Sequence, residues 1–187
     1  MLAVPPRSGL YAPQSSVRGL VASQFRSRAV TDWHTLLRFL RAREYDIKKT
    51  VTMYMDHLKW RKENDVDNVL ETFDFKEREQ YLSVYPQGYY NTDREGRPVT
   101  IQHLGQVQPK RIMQITTEER MIRFHVQEYE RFLKKIAPIC SRLAGHHIDQ
   151  STTILDVKGA RLRTGRSSDR RRRVHYGYAG HHESFTL

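Results

Sequence analysis

Two side-chain hydroxyls spaced two residues apart, Ser151 and Thr153, lie in a short β-branched run from Ser151 to Val157 that closes at Gly159. On a strand, residues two apart point to one side. The pair can therefore hold a phosphate oxygen, or it can simply satisfy its neighbours in the strand. Tyr129 falls on the apolar stripe of a helix, a position that packs into a core. Little else suggests chemistry. Glu118–Glu119 and Glu128/Glu130 are expected on solvated helix faces, not paired as a general acid and base. His146–His147 and His181–His182 are adjacent pairs, and neighbours on one element do not converge on a metal. There is no glycine-rich phosphate loop. The lone Cys140 leaves no disulfide or cysteine-rich zinc site within the chain and permits a reducing compartment. The residues point to no metal, no cofactor and no enzyme activity.

The formal net charge of +11 in 187 residues looks at first like a nucleic-acid footprint, but it is unevenly spread. Residues 1–30 carry four Arg and no acid, residues 160–187 carry seven Arg against Asp169 and Glu183, and residues 31–159 are nearly balanced. The run Arg170–Arg173 has the composition of a nuclear-localisation or RNA-contacting tail, or of a plain charged tail. A specific nucleic-acid partner is not expected. Residues 1–30, rich in Ser, Arg, Pro and Gly, read as a disordered extension or an organelle transit segment. No run approaches the roughly 18 apolar residues that would span a bilayer.

The middle of the chain must supply the elements. Asp32 is placed to cap a helix through Trp33, Leu36, Leu37, Phe39 and Leu40, and Asp46 to cap a second through Ile47, Val51, Tyr54, Met55 and Leu58. Asp65 is placed to start a third through Val66, Val69, Leu70 and Phe73. Three amphipathic helices predict a small bundle over 31–80. Tyr85–Gly88 stops a helix, Asp93–Gly96 reads as a turn, and Val99, Ile101 and His103 alternate as a strand. Thr116 with Glu119 forms a capping box for a helix whose stripe is Ile122, Val126, Tyr129, Leu133 and Ile136, ended by Pro138. With the strand at 151–157 this makes one βαβ unit, whose second strand would be buried. The fold class is α+β: a helical bundle over 31–80, an α/β lobe over 81–159, and ends at 1–30 and 160–187 outside the folded part.

The residues of the middle segment resemble the CRAL-TRIO family, in particular its phosphatidylinositol/phosphatidylcholine transfer proteins. The resemblance rests on Leu36–Arg43 (LLRFLRAR), Lys59–Lys62 (KWRK), Tyr85–Tyr89 (YPQGY), Asp93–Val99 (DREGRPV), Thr116–Met121 (TTEERM) and His147–Gly159 (HIDQSTTILDVKG), in family order over residues 32–159. It implies a helical bundle on an α/β lobe whose mixed sheet floors a deep apolar pocket, closed by a mobile helix. The pocket takes one phospholipid and shelters acyl chains that lose about 0.8 kcal/mol per CH₂ in water. No bond is made or broken. The resemblance puts the choline-lipid headgroup on Tyr89, Tyr129, Ser151 and Thr153, with a further family tyrosine position falling on Thr100. That replacement weakens any choline cage of stacked aromatic faces. The family's inositol-phosphate pair, Arg then Lys, falls on Arg43 and Glu44, and a carboxylate there repels phosphate. The expected partners are a phospholipid and a membrane surface. The expected state is a monomer, cytoplasmic and peripheral at Golgi or plasma membrane.

After Gly159 the motifs stop, and Leu162, Val174, Phe185 and Leu187 are the only Leu, Ile, Val or Phe residues left. Such a segment does not order by itself. The switch suggests a retained intron or a frameshift, or else a shortened isoform. The strand at 151–157 would then lack a neighbour and form an exposed apolar edge, and phosphatidylcholine binding by the chain as written would be poor. Two other readings compete: a helical fragment over residues 31–75 that docks a protein partner, and an Arg-rich nucleic-acid-associated protein.

Overall fold

The computed structural model describes residues 33–160, and these fall into two compact units that divide between Asn64 and Asp65. The expected Asp32 cap, the basic ends, Arg170–Arg173 and His181–His182 lie outside the described residues.

The first unit is a pair of helices, α1 (Trp33–Ala42) and α2 (Ile47–Glu63). Leu36, Phe39, Leu40 and Tyr54 form its core, with Ile47, Val51, Met55 and Leu58 packed against them. These are the predicted stripes, and the Phe39 and Tyr54 rings meet edge-on at 4.8 Å. The turn between the helices holds Glu44 and Tyr45 at φ 51° and 64°. Asp46 caps α2 as expected, accepting the Lys49 N–H at 3.0 Å.

The second unit starts with the third helix, which forms in two pieces: a 3₁₀ turn at Val66–Asn68 and α3 (Val69–Thr72). Asp65 sits left-handed at φ 48° and makes no cap bond from its side chain to the turn's backbone. This segment and α4 (Arg78–Val84) belong to the second unit. Phe75 stacks on Phe124 at 4.4 Å, and Tyr81 meets Phe75 edge-on at 5.4 Å. Burying rings of this size contributes about 2–3 kcal/mol each.

The sheet has the order β1–β2–β3, with β1 (Gln87–Thr92) antiparallel and β3 (Thr152–Leu155) parallel to β2 (Pro98–Gln102). The strand β1 was not expected, because QGYYNT alternates no apolar residues; pairing with β2 makes it a strand. The crossover from β2 to β3 runs through α5 (Pro109–Ile115), α6 (Glu118–Arg131), a π-turn (Phe132–Ile136) and α7 (Ala137–Ala144). The βαβ unit therefore forms. Its second strand is not buried, however: Ile154 and Leu155 are 50% and 39% exposed. Strand β3 is a sheet edge among the described residues, as expected for a strand lacking a neighbour.

Three details of the long helix depart from the sequence reading. Its cap is Thr117, which accepts the Arg120 N–H; Thr116 instead donates its hydroxyl to Glu77 at 2.6 Å. Pro138 does not end it. The π-turn just before Pro138 absorbs the missing N–H, and the helix runs on to Gly145 at φ 70°. The predicted stripe is only partly right: Val126 is buried, whereas Ile122, Tyr129, Leu133 and Ile136 are half-buried. Phe124, Gln127 and Glu130 are buried as well. Gln127 fits there because its amide donates to the carbonyls of Val69, the first residue of α3, and Phe73, just past its end, at 3.2 and 2.6 Å. Glu130, expected in solvent, is 1% exposed and pairs with Lys134 at 3.4 Å.

Candidate functional site

Strand register sets the site. Tyr89 on β1 lies opposite Thr100 on β2, and Thr100 lies opposite Thr153 on β3. Three of the predicted residues thus occupy one row across the sheet, on one face. The register slips between Tyr89 and Asn91, a bulge that leaves Tyr90 80% exposed. The Thr100 and Thr153 hydroxyls lie 2.9 Å apart and share one hydrogen. The other hydrogen stays available to a ligand acceptor, because two hydroxyls carry two donors.

Tyr89 links this row to the crossover helix. The residue is 42% exposed, and its phenol is pushed up to about 12, first by partial burial and then by the Glu128 carboxylate, with Arg131 opposing and Tyr129 and Cys140 adding to it. The phenol is therefore protonated, and a donor, throughout the neutral range. Arg131 Nη1 sits 3.0 Å from Glu128 Oε1, so a cation and an anion are held together on α6 beside the tyrosines. Sequence reasoning missed both of these residues as site members. Their only signal was their position flanking Tyr129 on the same helix.

The turn 93–97 anchors the row. Asp93 Oδ1 accepts the backbone N–H groups of Glu95 and Arg97 at 2.9 Å each, and Oδ2 accepts Arg97 Nε at 2.7 Å and the Thr152 hydroxyl at 2.8 Å. The Arg97 guanidinium holds this carboxyl well below the usual carboxylate range, helped by the Thr152 hydroxyl. Thr152 and Thr153 point to opposite faces. Tying the first to Asp93 therefore fixes the side from which the second projects. At the far end of the strands His103 Nδ1 lies 2.9 Å from Asp156 Oδ2. The Lys158 N–H, and after it His103, lower the Asp156 carboxyl.

Ser151 lies one residue ahead of β3 and is exposed, so no strand pairing fixes its hydroxyl beside that of Thr153. Tyr129 is half-buried, its ring 5.9 Å from that of Phe132. Arg43 is half-buried just past the end of α1, in the first unit. The histidine pair separates: His146 Nδ1 lies 3.0 Å from the Ala144 carbonyl and His147 Nε2 3.9 Å from Asp149. Among the described residues, no three His, Cys, Asp or Glu side chains are grouped to hold a metal, and no helix is long and apolar enough to cross a membrane.

Fold and site together define an α+β module: a small mixed sheet, its parallel strands joined by a long helical crossover, with Tyr89, Thr100 and Thr153 in one row on a single face. The pattern of the CRAL/TRIO domain matches residues 82–175 and that of the CRAL/TRIO N-terminal domain residues 22–56. The chain belongs to the CRAL/TRIO family. The match begins ahead of, and runs beyond, the motifs at 32–159. Two phosphatidylinositol/phosphatidylcholine transfer proteins of Arabidopsis thaliana are similar. One is 47% identical over 78% of this chain and 27% of its own length, the other 50% identical over 68% and 22%. A SEC14 cytosolic factor of Kluyveromyces lactis is 48% identical over 68% of this chain and 42% of its own length. The chain spans about a quarter of the length of the plant relatives it matches.

Proposed function

We propose that this chain is a non-catalytic phospholipid-binding module of the transfer-protein type, acting peripherally at cytoplasmic membranes such as Golgi or plasma membrane. The observation that carries the reading is the row Tyr89–Thr100–Thr153 beside Tyr129, Glu128 and Arg131. A phosphocholine group is a zwitterion, and this site offers a part for each end. The Tyr89 phenol and the free hydroxyl hydrogen of the Thr100–Thr153 pair donate to phosphate oxygens, with Arg131 supplying positive charge. The Tyr89 and Tyr129 rings and the Glu128 carboxylate suit the quaternary ammonium. Ser151 serves as an outer contact. Arg43 followed by Glu44 disfavours an inositol-phosphate headgroup, so phosphatidylcholine is the preferred class.

Acyl retention is the weak step. Ile154, Leu155 and Val157 are open to solvent, the last 60% exposed, so the floor that would shelter the chains is uncovered along β3. Soluble short-chain phosphatidylcholine tests the headgroup site alone. Titration followed by ³¹P NMR is expected to saturate, with binding about tenfold weaker in Thr153→Val and in Tyr129→Ala, each removing a contact of about 1–1.5 kcal/mol. Binding unchanged in both variants would remove the site. Long-chain phosphatidylcholine is expected to be lost during gel filtration; recovery of one molecule per chain by native mass spectrometry would overturn the weak-retention reading.

A further inference from the structure

The outer face of the crossover's C-terminal end is unlike the rest of the helix. From Lys135, the residues Pro138, Ile139, Arg142 and Leu143 fall three, four, seven and eight residues along one face of the π-turn and α7, with His146 just past the helix end, and all are exposed. Leu143 is 80% and Ile139 47% exposed, far more than aliphatic side chains on a helix packed into a domain. The opposite face is fixed by burial of Phe132, Ala137 and Cys140 and by Ser141, whose hydroxyl donates to the Ala137 carbonyl at 2.7 Å and accepts the Ile148 N–H at 2.8 Å. The exposed side is therefore not free to turn inward.

Its charge is of one sign. Lys135 and Arg142 have no carboxylate within ion-pair distance among the described residues, whereas the neighbouring Lys134 is taken by Glu130 and His147 approaches Asp149. Among the described residues, then, two cations with no acidic partner flank two exposed aliphatic side chains. That is the chemistry of a surface that lies on an anionic bilayer: the cations meet lipid phosphates and carboxylates, and the aliphatic groups enter the acyl boundary. A protein partner would need matching acids and a cavity for Leu143. A bilayer supplies both without shape complementarity.

We propose that the 135–146 face docks this chain on membranes rich in acidic phospholipid. The inference rests on the carrier reading only in that a carrier must meet a bilayer. The test uses the full chain and sedimentation with vesicles of equal parts phosphatidylcholine and phosphatidylserine. The wild type is expected to bind these vesicles and not pure phosphatidylcholine. Lys135→Glu with Arg142→Glu is expected to lower partitioning about tenfold or more, at roughly 1 kcal/mol per basic residue near the surface. Ile139→Ser with Leu143→Ser is expected to lower it by a similar factor. Lys110→Glu with Arg111→Glu on α5 makes the same change in net charge and is expected to have less than half that effect. An equal loss from the α5 pair, no loss from the serine pair, or no binding by the wild type overturns the proposal. The short-chain phosphatidylcholine titration separates the two readings. Docking variants that titrate normally but leave the membrane support the face, and a headgroup site that fails while the face variants still lose vesicles removes the carrier reading alone.

Discussion

Gly105→Ala is expected to lower the stability of the second unit by about 3 kcal/mol, more than most single substitutions. A Cβ at Gly105 would lie 2.0 Å from the Lys158 carbonyl oxygen, 2.5 Å from its carbon and 2.9 Å from the Val157 carbonyl carbon. All three are backbone atoms, so no side chain can swing aside. The crossing is close because the ladder continues past the strand ends: Asp156 N–H donates to the Gln102 carbonyl at 2.8 Å, and Gly105 N–H donates to the Asp156 carbonyl at 3.0 Å. Separating these segments also strains the His103–Asp156 contact and loosens β3, which has no neighbour on its other side among the described residues. For a unit of this size the loss corresponds to a fall of about 15 °C in melting temperature. Gly88→Ala is the control, since nothing lies within 4 Å of its Cβ; it is expected to melt with the wild type. Equal melting of Gly105→Ala and Gly88→Ala would sink the argument. Because Thr153 leaves its row when β3 loosens, the short-chain phosphatidylcholine titration should weaken in Gly105→Ala and not in Gly88→Ala.

That coupling explains what the sequence could show and what it could not. The helix stripes were legible because burial repeats every three or four residues: Leu36, Phe39, Leu40 and Tyr54 are core as read. The turn Asp93–Gly96 was legible from its residue types, and Gly96 indeed sits at φ 79°. Strand β1 was not, because its polar residues acquire strand geometry only from β2. The Thr116 cap was misread for a related reason. A hydroxyl three residues before a glutamate fits a capping box, but the Glu77 carboxylate, distant in sequence, competes for it. Pro138 misled because a π-turn is set by tertiary packing and leaves no local signature. At the site, the motifs named Tyr89, Thr100, Tyr129 and Thr153, but the register that aligns three of them depends on pairing over 53 residues between Thr100 and Thr153. Glu128 and Arg131 enter only once the helix lies beside Tyr89.

The competition for Thr116 leads to the second large effect: Arg120→Ala is expected to destabilise the second unit by about 3 kcal/mol. Arg120 Nε and Nη2 donate to the two oxygens of Glu77 at 2.6 and 2.8 Å, and Nη2 also donates to the Asp74 carbonyl at 3.0 Å. The guanidinium lies 5.2 Å from the centre of the Phe73 ring and 5.7 Å from that of Phe75. One side chain thus joins α6 to the segment between α3 and α4, and its removal leaves Glu77, only 15% exposed, without its counter-charge. Arg120→Lys should recover part of the loss, since an ammonium cannot reproduce the two-pronged contact. The pair also predicts a pH dependence. The Arg120 hydrogen bond, opposed by burial and helped by Thr116, lowers the Glu77 carboxyl to about 2 from its ordinary 4.5. A carboxyl lowered on folding contributes stability that is fully present above its unfolded value and is lost as pH falls through the folded one. The contribution should therefore fade between pH 4.5 and about 2. Arg120 is 38% exposed, so screening by solvent reduces it to about 1–2 kcal/mol. Asp93 and Asp156 are lowered as well, so the acid limb of the wild type alone does not isolate Glu77. The difference between wild type and Glu77→Gln does: urea midpoints of the two should converge as pH falls through this window. A gap that persists unchanged to the acid end would show that the lost stability is packing and not charge.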